Sequence, residues 1–362
     1  AKVLATYGIK SYIFESLRPT PELSFAVRHL DCIAGINVTA SHNPPQYNGY
    51  KVYWEDGAQI TPPHDVNIMD AVLAITDYAD VKTMDKDEAV KAGLYVQIGK
   101  DVDDKYIAAL KKQVKHQDAI DAVQKDIKIV YTPLHGTGNI PVRRVLKELG
   151  FENVYVVKEQ ELPDGDFPTV SYPNPESEEA FELAVKLGNE IGADILLATD
   201  PDADRLGVYA LDTASGEYKS FTGNMSGMLI AEYILRERTA TGTMPENPAL
   251  VTTIVTTNMT APITEAYGVK RIEVLTGFKY IGEQIKLFEQ TGSNNYVFGL
   301  EESYGCLAGT HARDKDAVVA VMCLCEVAAW CKKHGKTLYD MMLEIYEKYG
   351  YYKEGQVAIT MK

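Results

Sequence analysis

The chain has 362 residues, a length that favours about two to three domains. Hydrophobic residues make up 46% and charged ones 24%, enough apolar material for real cores. With 36 Lys and Arg against 51 Asp and Glu the formal charge is −15, which argues against nucleic acid or an anionic membrane as a main partner. The longest apolar run, 317–331, is interrupted by Glu326 and too short to span a bilayer. Five cysteines without paired spacing fit a reduced, cytoplasmic setting. Cys323, Cys325 and Cys331 lie in a helical stretch whose spacing points them apart, so they read as small buried hydrophobes rather than metal ligands.

In chain order, the opening "AKVLATYG" reads as a helix, "SYIFES" as a strand and "TPELSFAVRHL" as a helix. Residues 33–38 read as a short buried strand, and Asn43, Pro44 and Pro45 forbid a helix after it. Ser41 is therefore expected on an exposed bend at a strand end. Strand "GYKVYW" follows, then a helix within "DVNIMDAVLAITDYAD" that runs into an acidic, solvated stretch. One polar helix, "DVDDKYIAALKKQVKHQDAI", is expected to bridge to a second segment. That segment reads as strand "IKIVYTPL", turn "HGTG", helix "IPVRRVLKELG", strand "NVYVVKE", a Pro-rich loop, a helix over 178–191 and strand "ADILLATD". A third repeats the alternation: helix "GNMSGMLIAEYILRER", strand "ALVTTIVTT", helix "MTAPITEAYG", strand "RIEVLT", helix "KYIGEQIKLFEQ", strand "NYVFGLE" and a long helix after Asp316. The end, "GYYKEGQVAITMK", reads as a connector plus one strand. Such alternation predicts an α/β chain of consecutive domains, each a mixed sheet sandwiched by helices.

Three stretches carry chemistry. "TASHNP" exposes the Ser41 hydroxyl at a strand end; His42, as its neighbour, is expected to point elsewhere, which argues against a hydrolase dyad. "LLATDPDADRLG" alternates Asp200, Asp202 and Asp204 on a tight turn after a buried strand, a donor set for a hard divalent cation, with magnesium favoured. A calcium EF-hand loop does not fit, because Arg205 takes the place of its glycine and Leu211 that of its bidentate glutamate. "GLEESYGCLAGTHARDKDAV" places Glu301 and Ser303, residue types that hold sugar hydroxyls, in a glycine-bounded loop. His311, Arg313 and Lys315 stand just downstream, where Arg and Lys are types that hold phosphate. By itself the stretch reads equally well as a charged surface loop.

These loops, in this order and with "YTPLHGTG", "YPNPE", "TGFKYI" and "THARDKDAV", resemble the α-D-phosphohexomutase superfamily of phosphoglucomutases and phosphomannomutases. The long "NPPQYNGYKVYWEDGAQI" most resembles the branch of bacterial phosphoglucomutases and phosphopentomutases. The resemblance implies a mutase interconverting sugar 1-phosphate and 6-phosphate, glucose foremost, through a phosphoserine at Ser41 and a sugar 1,6-bisphosphate. It implies Mg2+ held by Asp200, Asp202, Asp204 and a phosphate oxygen on Ser41. His42 and Lys51 would serve proton transfer and phosphate neutralisation. Arg205, Thr276, Lys279, Glu301, Ser303, His311, Arg313 and Lys315 would contact a hexose or pentose phosphate. The "HGTG" turn reads as a structural turn ahead of an anion cradle. Domains are expected at 1–97 (part of domain 1), 98–219, 220–345, and a connector at 346–362 towards a fourth domain whose R-x-S-G-T-E-P loop has no counterpart here. The chain is therefore expected to be a central piece with weak turnover of its own. The alternative readings are a non-catalytic phosphosugar- or metal-binding fragment, and a phosphopentomutase.

Overall fold

The computed structural model describes residues 1–355. The expected terminal strand lies largely in 356–362, outside the described residues. The first segment comprises α1 (Lys2–Thr6), β1 (Ser11–Phe14), α2 (Thr20–His29), β2 (Ala34–Val38), β3 (Tyr50–Trp54), α3 (His64–Leu73), α4 (Lys86–Lys91) and β4 (Tyr95–Ile98). Its strands form two separate two-stranded ladders, β1 parallel to β4 and β2 antiparallel to β3, where one mixed sheet was expected. The strand expected to be buried at 33–38 is largely exposed, with Ile33 73% and Val38 62% exposed. Only the Gly35 face of β2 packs on α2 and β3, where a Cβ would meet Val27 at 2.5 Å and Tyr53 at 3.5 Å.

The expected single helix over 101–120 is two, α5 (Lys100–Lys111) and α6 (Gln117–Val123). The break has a tertiary cause: the buried Glu326 carboxylate accepts the backbone N–H groups of Lys115 (2.8 Å) and His116 (2.6 Å) through one oxygen. The chain continues through β5 (Lys128–Thr132), α7 (Asn139–Leu149), β6 (Asn153–Val156), α8 (Glu178–Ile191), β7 (Ile195–Thr199), β8 (Leu206–Asp212) and β9 (Glu217–Phe221). The sheet order is β6-β5-β7-β8-β9, parallel on the first side and antiparallel from β8 onward. Period-two alternation covers both faces. Ile129, Tyr131, Ile195 and Leu197 face the main core, whereas Val130, Leu196 and Ala198 pack with Phe181 and Ala184 of α8.

The remainder comprises α9 (Gly223–Ala240), β10 (Pro248–Thr253), α10 (Thr260–Ala266), β11 (Lys270–Val274), α11 (Phe278–Thr291), β12 (Asn295–Glu301), β13 (Gly305–Ala308), α12 (Ala317–Lys333) and α13 (Leu338–Tyr349). Its sheet, β11-β10-β12-β13, is again mixed, with β13 antiparallel to β12. Helix α12 is buried on all sides from Ala317 to Ala329, as befits a helix apolar all round, and packs against α6, α7 and α9. Its Cys323, Cys325 and Cys331 are buried thiols, and burial pushes Cys323 up to about 12. Among the described residues, no helix is long and apolar enough to cross a membrane.

Candidate active site

Three loops converge, each leaving the end of a strand: β2 delivers Ser41, β7 delivers Asp200 and β12 ends on Glu301. One non-glycine residue on each adopts a left-handed backbone, Ser41 (φ 52°), Ala203 (φ 53°) and Tyr304 (φ 64°). Such conformations persist where the surroundings over-determine them. Here the stretch 200–206 is fixed from four sides. Thr20 N–H donates to Asp202 O (2.9 Å) and Thr137 N–H to Pro201 O (2.8 Å). Leu206 N–H donates to Tyr304 O (2.9 Å) and Ala317 N–H to Ala203 O (3.1 Å). The "HGTG" turn thus buttresses the aspartate loop, and a Cβ on Gly136 would stand 2.3 Å from Pro201 Cα.

The Asp200, Asp202 and Asp204 carboxylates are buried, with one ligand atom from each lying within 4.8 Å of the others. Asp200 Oδ1 accepts the N–H groups of Asp204 (3.0 Å) and Arg205 (2.9 Å), while Oδ2 accepts the Ser41 hydroxyl at 2.8 Å. Asp202 Oδ2 accepts Lys51 Nζ and Thr20 Oγ1, both at 2.8 Å. Asp204 Oδ2 pairs with Lys51 and Lys315, both at 3.2 Å. Asp202 Oδ1 and Asp204 Oδ1 are buried and accept no hydrogen bond. Two orphaned carboxylate oxygens beside a third carboxylate cost free energy unless a cation takes them up. The all-oxygen donor set therefore fits Mg2+.

The electrostatics follow from this crowding. Burial, then Asp202 and Asp204, push Asp200 well up. Burial would also raise Asp204, but Lys315 and Lys51 outweigh it and hold this carboxyl below its usual range. Burial opposes the Lys51 charge, yet Asp204 and Asp202 hold it above its ordinary value. His42 goes the other way: burial and then Arg205 lower it to about 4, so its ring is neutral at pH 7. Its Nδ1 lies 3.2 Å from Ser41 Oγ, contrary to the expectation that a neighbouring residue points elsewhere. The tight bend at Ser41 turns the two adjacent side chains together.

Glu301 accepts the Ser303 hydroxyl at 2.8 Å and stands 3.9 Å from Lys315 Nζ; burial pushes its carboxyl up against the pull of Lys315. Arg205 Nη1 donates to Glu176 Oε1 at 2.8 Å. Ser41, His42, Lys51, Arg205, Lys315, Glu301 and Ser303 thus gather around the aspartates. Thr276 lies apart on an exposed turn before α11, and Lys279 lines a recess of about 180 Å3 with Trp54, His64 and Lys286. His311 and Arg313, expected among the substrate contacts, are engaged in packing instead. His311 Nε2 is 2.7 Å from Asp316 Oδ2, and the buried Arg313 guanidinium bonds Glu289 and the Thr310 and Ala312 carbonyls. Sequence reasoning missed Thr20, because the "TP" ahead of a helix signals only a helix start, and Asp314, which stands among charged residues and lies 3.3 Å from Lys315 Nζ.

Models of the phosphoglucomutase/phosphomannomutase α/β/α domains match in succession: domain I over 1–79, domain II over 104–213 and domain III over 222–349. The chain belongs to this family. A phosphoglucomutase of Staphylococcus saprophyticus is 36% identical over 362 residues, covering 100% of this chain and 64% of that protein. A phosphoglucomutase of Staphylococcus aureus (strain N315) is 38% identical over 365 residues, covering 100% and 63%. The chain thus spans less than two thirds of the length of these relatives. A crystal structure described as a phosphomannomutase from Thermus thermophilus superposes with a TM-score of 0.76 at 25% identity, covering 97% of this chain and 72% of that one. The family membership accounts for the mixed sheets flanked by helices in consecutive domains.

Proposed function

We propose that the chain carries the phosphoserine, cation and sugar-phosphate loops of a magnesium-dependent phosphosugar mutase, with glucose phosphates as the preferred substrates. One observation carries the reading: the Ser41 hydroxyl donates to a buried carboxylate of a three-aspartate cluster whose neighbouring oxygens are left without hydrogen bonds. Relatives named phosphoglucomutase support the substrate class. Asp200, Asp202, Asp204 and the Ser41 phosphate would hold Mg2+, which supplies neutralisation of phosphate charge when bound.

The chain's own groups account for the rest. In one half-reaction a sugar hydroxyl oxygen attacks the phosphorus of phosphoserine 41, and the bond from phosphorus to Oγ breaks. The serine oxygen takes a proton and the sugar hydroxyl loses one; the neutral His42 ring suits that exchange. Lys51, held charged beside Asp202 and Asp204, suits neutralisation of the transferring group. Glu301 and Ser303 would take sugar hydroxyls, and Lys315 and Arg205 would take phosphate oxygens. The sugar bisphosphate then returns its other phosphate to Ser41 by the reverse of the same step. Thr276 and Lys279 would contact the substrate from their own turn and recess, whereas His311 and Arg313 would support it through packing.

The test is a coupled assay of the protein with glucose, mannose and ribose 1-phosphates, in the presence of Mg2+ and glucose 1,6-bisphosphate. The expected result is turnover fastest with glucose 1-phosphate, abolished by chelator and restored by Mg2+. Ribose 1-phosphate as the best substrate would replace the hexose reading with a pentose one. Inertness of all three together with no phosphate transfer from glucose 1,6-bisphosphate to Ser41 would overturn the mutase reading.

A further inference from the structure

Ser41 and the aspartates reach the site on different segments, so a catalytic phosphoserine requires something that keeps them in register. The direct contact, Ser41 Oγ to Asp200, disappears as a donor bond once the serine is phosphorylated. A second connection does not depend on the serine. Asn37, on β2 four residues before Ser41, donates from Nδ2 to Thr20 Oγ1 at 2.6 Å. Thr20, fully buried at the start of α2, donates that hydroxyl to Asp202 Oδ2 at 2.8 Å. Its backbone N–H meets the Asp202 carbonyl at 2.9 Å. Asn37 is also the cross-strand partner of Lys51, whose Nζ takes the same Asp202 oxygen at 2.8 Å. The hairpin that carries Ser41 therefore reaches one carboxylate oxygen twice, directly through Lys51 and indirectly through Asn37 and Thr20.

The consequence is geometric. With Oδ2 claimed by two donors, the Asp202 carboxylate cannot rotate freely, and its other oxygen, Oδ1, is the one left without a partner. The Thr20 hydroxyl accepts from Asn37 and donates to Asp202 at once; valine has the shape of threonine and can do neither. Resting on the mutase reading above, we propose that Thr20, oriented by Asn37, is a positioning residue for the cation site. It fixes Asp202 so that Oδ1 faces the cation, and it ties that orientation to the strand bearing Ser41.

The experiment is a titration of the protein with Mn2+, followed by electron paramagnetic resonance of the free ion, together with isothermal calorimetry of Mg2+. Each is done on the unsubstituted protein, Thr20→Val, Thr20→Ser, Asn37→Leu and the Thr20→Val/Asn37→Leu pair, with thermal unfolding as a control. Partners of metal ligands typically contribute about 10–100-fold in affinity. Thr20→Val is expected to raise the dissociation constant about tenfold or more, Thr20→Ser to stay within about twofold, and Asn37→Leu to fall between. Because Asn37 acts through the Thr20 hydroxyl, its substitution should add almost nothing to Thr20→Val. Asn37 is only half-buried on its strand, so Asn37→Leu serves should Thr20→Val fail to fold. Wild-type affinity in Thr20→Val, an equal loss in Thr20→Ser, or additive effects in the pair would overturn the positioning role. An unsubstituted protein that binds neither ion would overturn the metal reading itself, and this inference with it.

Discussion

Ser41 combines an unfavourable backbone with a hydroxyl directed at Asp200, and the two features separate under mutation. Ser41→Ala removes the oxygen and keeps a side chain at φ 52°; Ser41→Gly removes the oxygen and suits that φ. Both should lose mutase turnover entirely. The glycine protein should be at least as stable as the alanine one in urea unfolding, by up to about 1 kcal/mol. Residual turnover in either variant would remove Ser41 from the reaction. At this scale the sequence is most legible where chemistry is contiguous: "TASHNP" and "DPDADR" each hold their functional atoms within a few residues. It is least legible where a contact joins distant positions. Thr20 and Asp202 are 182 residues apart, and nothing local marks that pair. Alternation along an extended chain would point His42 away from Ser41, but it does not apply on a left-handed bend.

Among elements, the antiparallel pair β12 and β13 shows how a glycine shapes the site. Lys315 crosses Gly305, where an added Cβ would sit 2.0 Å from Lys315 Cδ and 2.7 Å from Cγ. Those are stem atoms between Cα and the ammonium, so Gly305→Ala must displace the Lys315 head from Asp204 and Glu301. The expected outcome is weaker sugar-phosphate binding, read as a raised KM, with a stability loss of about 1–3 kcal/mol. An unchanged KM would mean that Lys315 reaches the substrate by another route. Elements with strong apolar periods, such as α8 and β7, were readable from sequence, α8 to its end residues. Strands β4, β8, β9 and β13 were not: β4 and β13 span four residues each, and β9 turns a polar face outward in "EYKSF". Strand β8, although apolar, starts directly after the aspartate turn with no separate strand signal of its own. The break between α5 and α6 was invisible for a different reason. The residue that causes it, Glu326, lies on α12, and a polar stretch of good helix formers gives no local sign of interruption.

At the scale of the whole molecule, α2 is the shared wall between segments. Ser24 Oγ accepts the Arg313 N–H at 2.8 Å and donates to the Gly57 carbonyl at 2.6 Å, and Thr20 meets Asp202. Glu22 on the same helix is buried facing Asp103 of α5, and burial, then Asp103, raise its carboxyl to about 9. Between the ordinary carboxylate value of 4.5 and about 9 the folded chain holds a proton that the unfolded chain releases. Stability from this group is therefore fully present below about 4.5 and is lost as pH rises towards 9. Glu22→Gln keeps the shape and removes the titration. Its melting temperature should exceed that of the unsubstituted protein at pH 8 and converge with it near pH 5. An equal offset at both pH values would show that Glu22 does not titrate in this window.

The central claim is that Ser41 exchanges phosphate beside the aspartate cluster. The most direct measurement is peptide mapping by mass spectrometry after incubation with glucose 1,6-bisphosphate and Mg2+. The account predicts one phosphate, on the peptide containing Ser41, lost on subsequent addition of glucose 6-phosphate and absent from Ser41→Ala. It also predicts much slower acquisition in Asp204→Asn, which keeps the volume but removes a charge from the cation site. A phosphate that appears on another residue, or that reaches Ser41 equally fast without Mg2+ and in Asp204→Asn, would contradict the account.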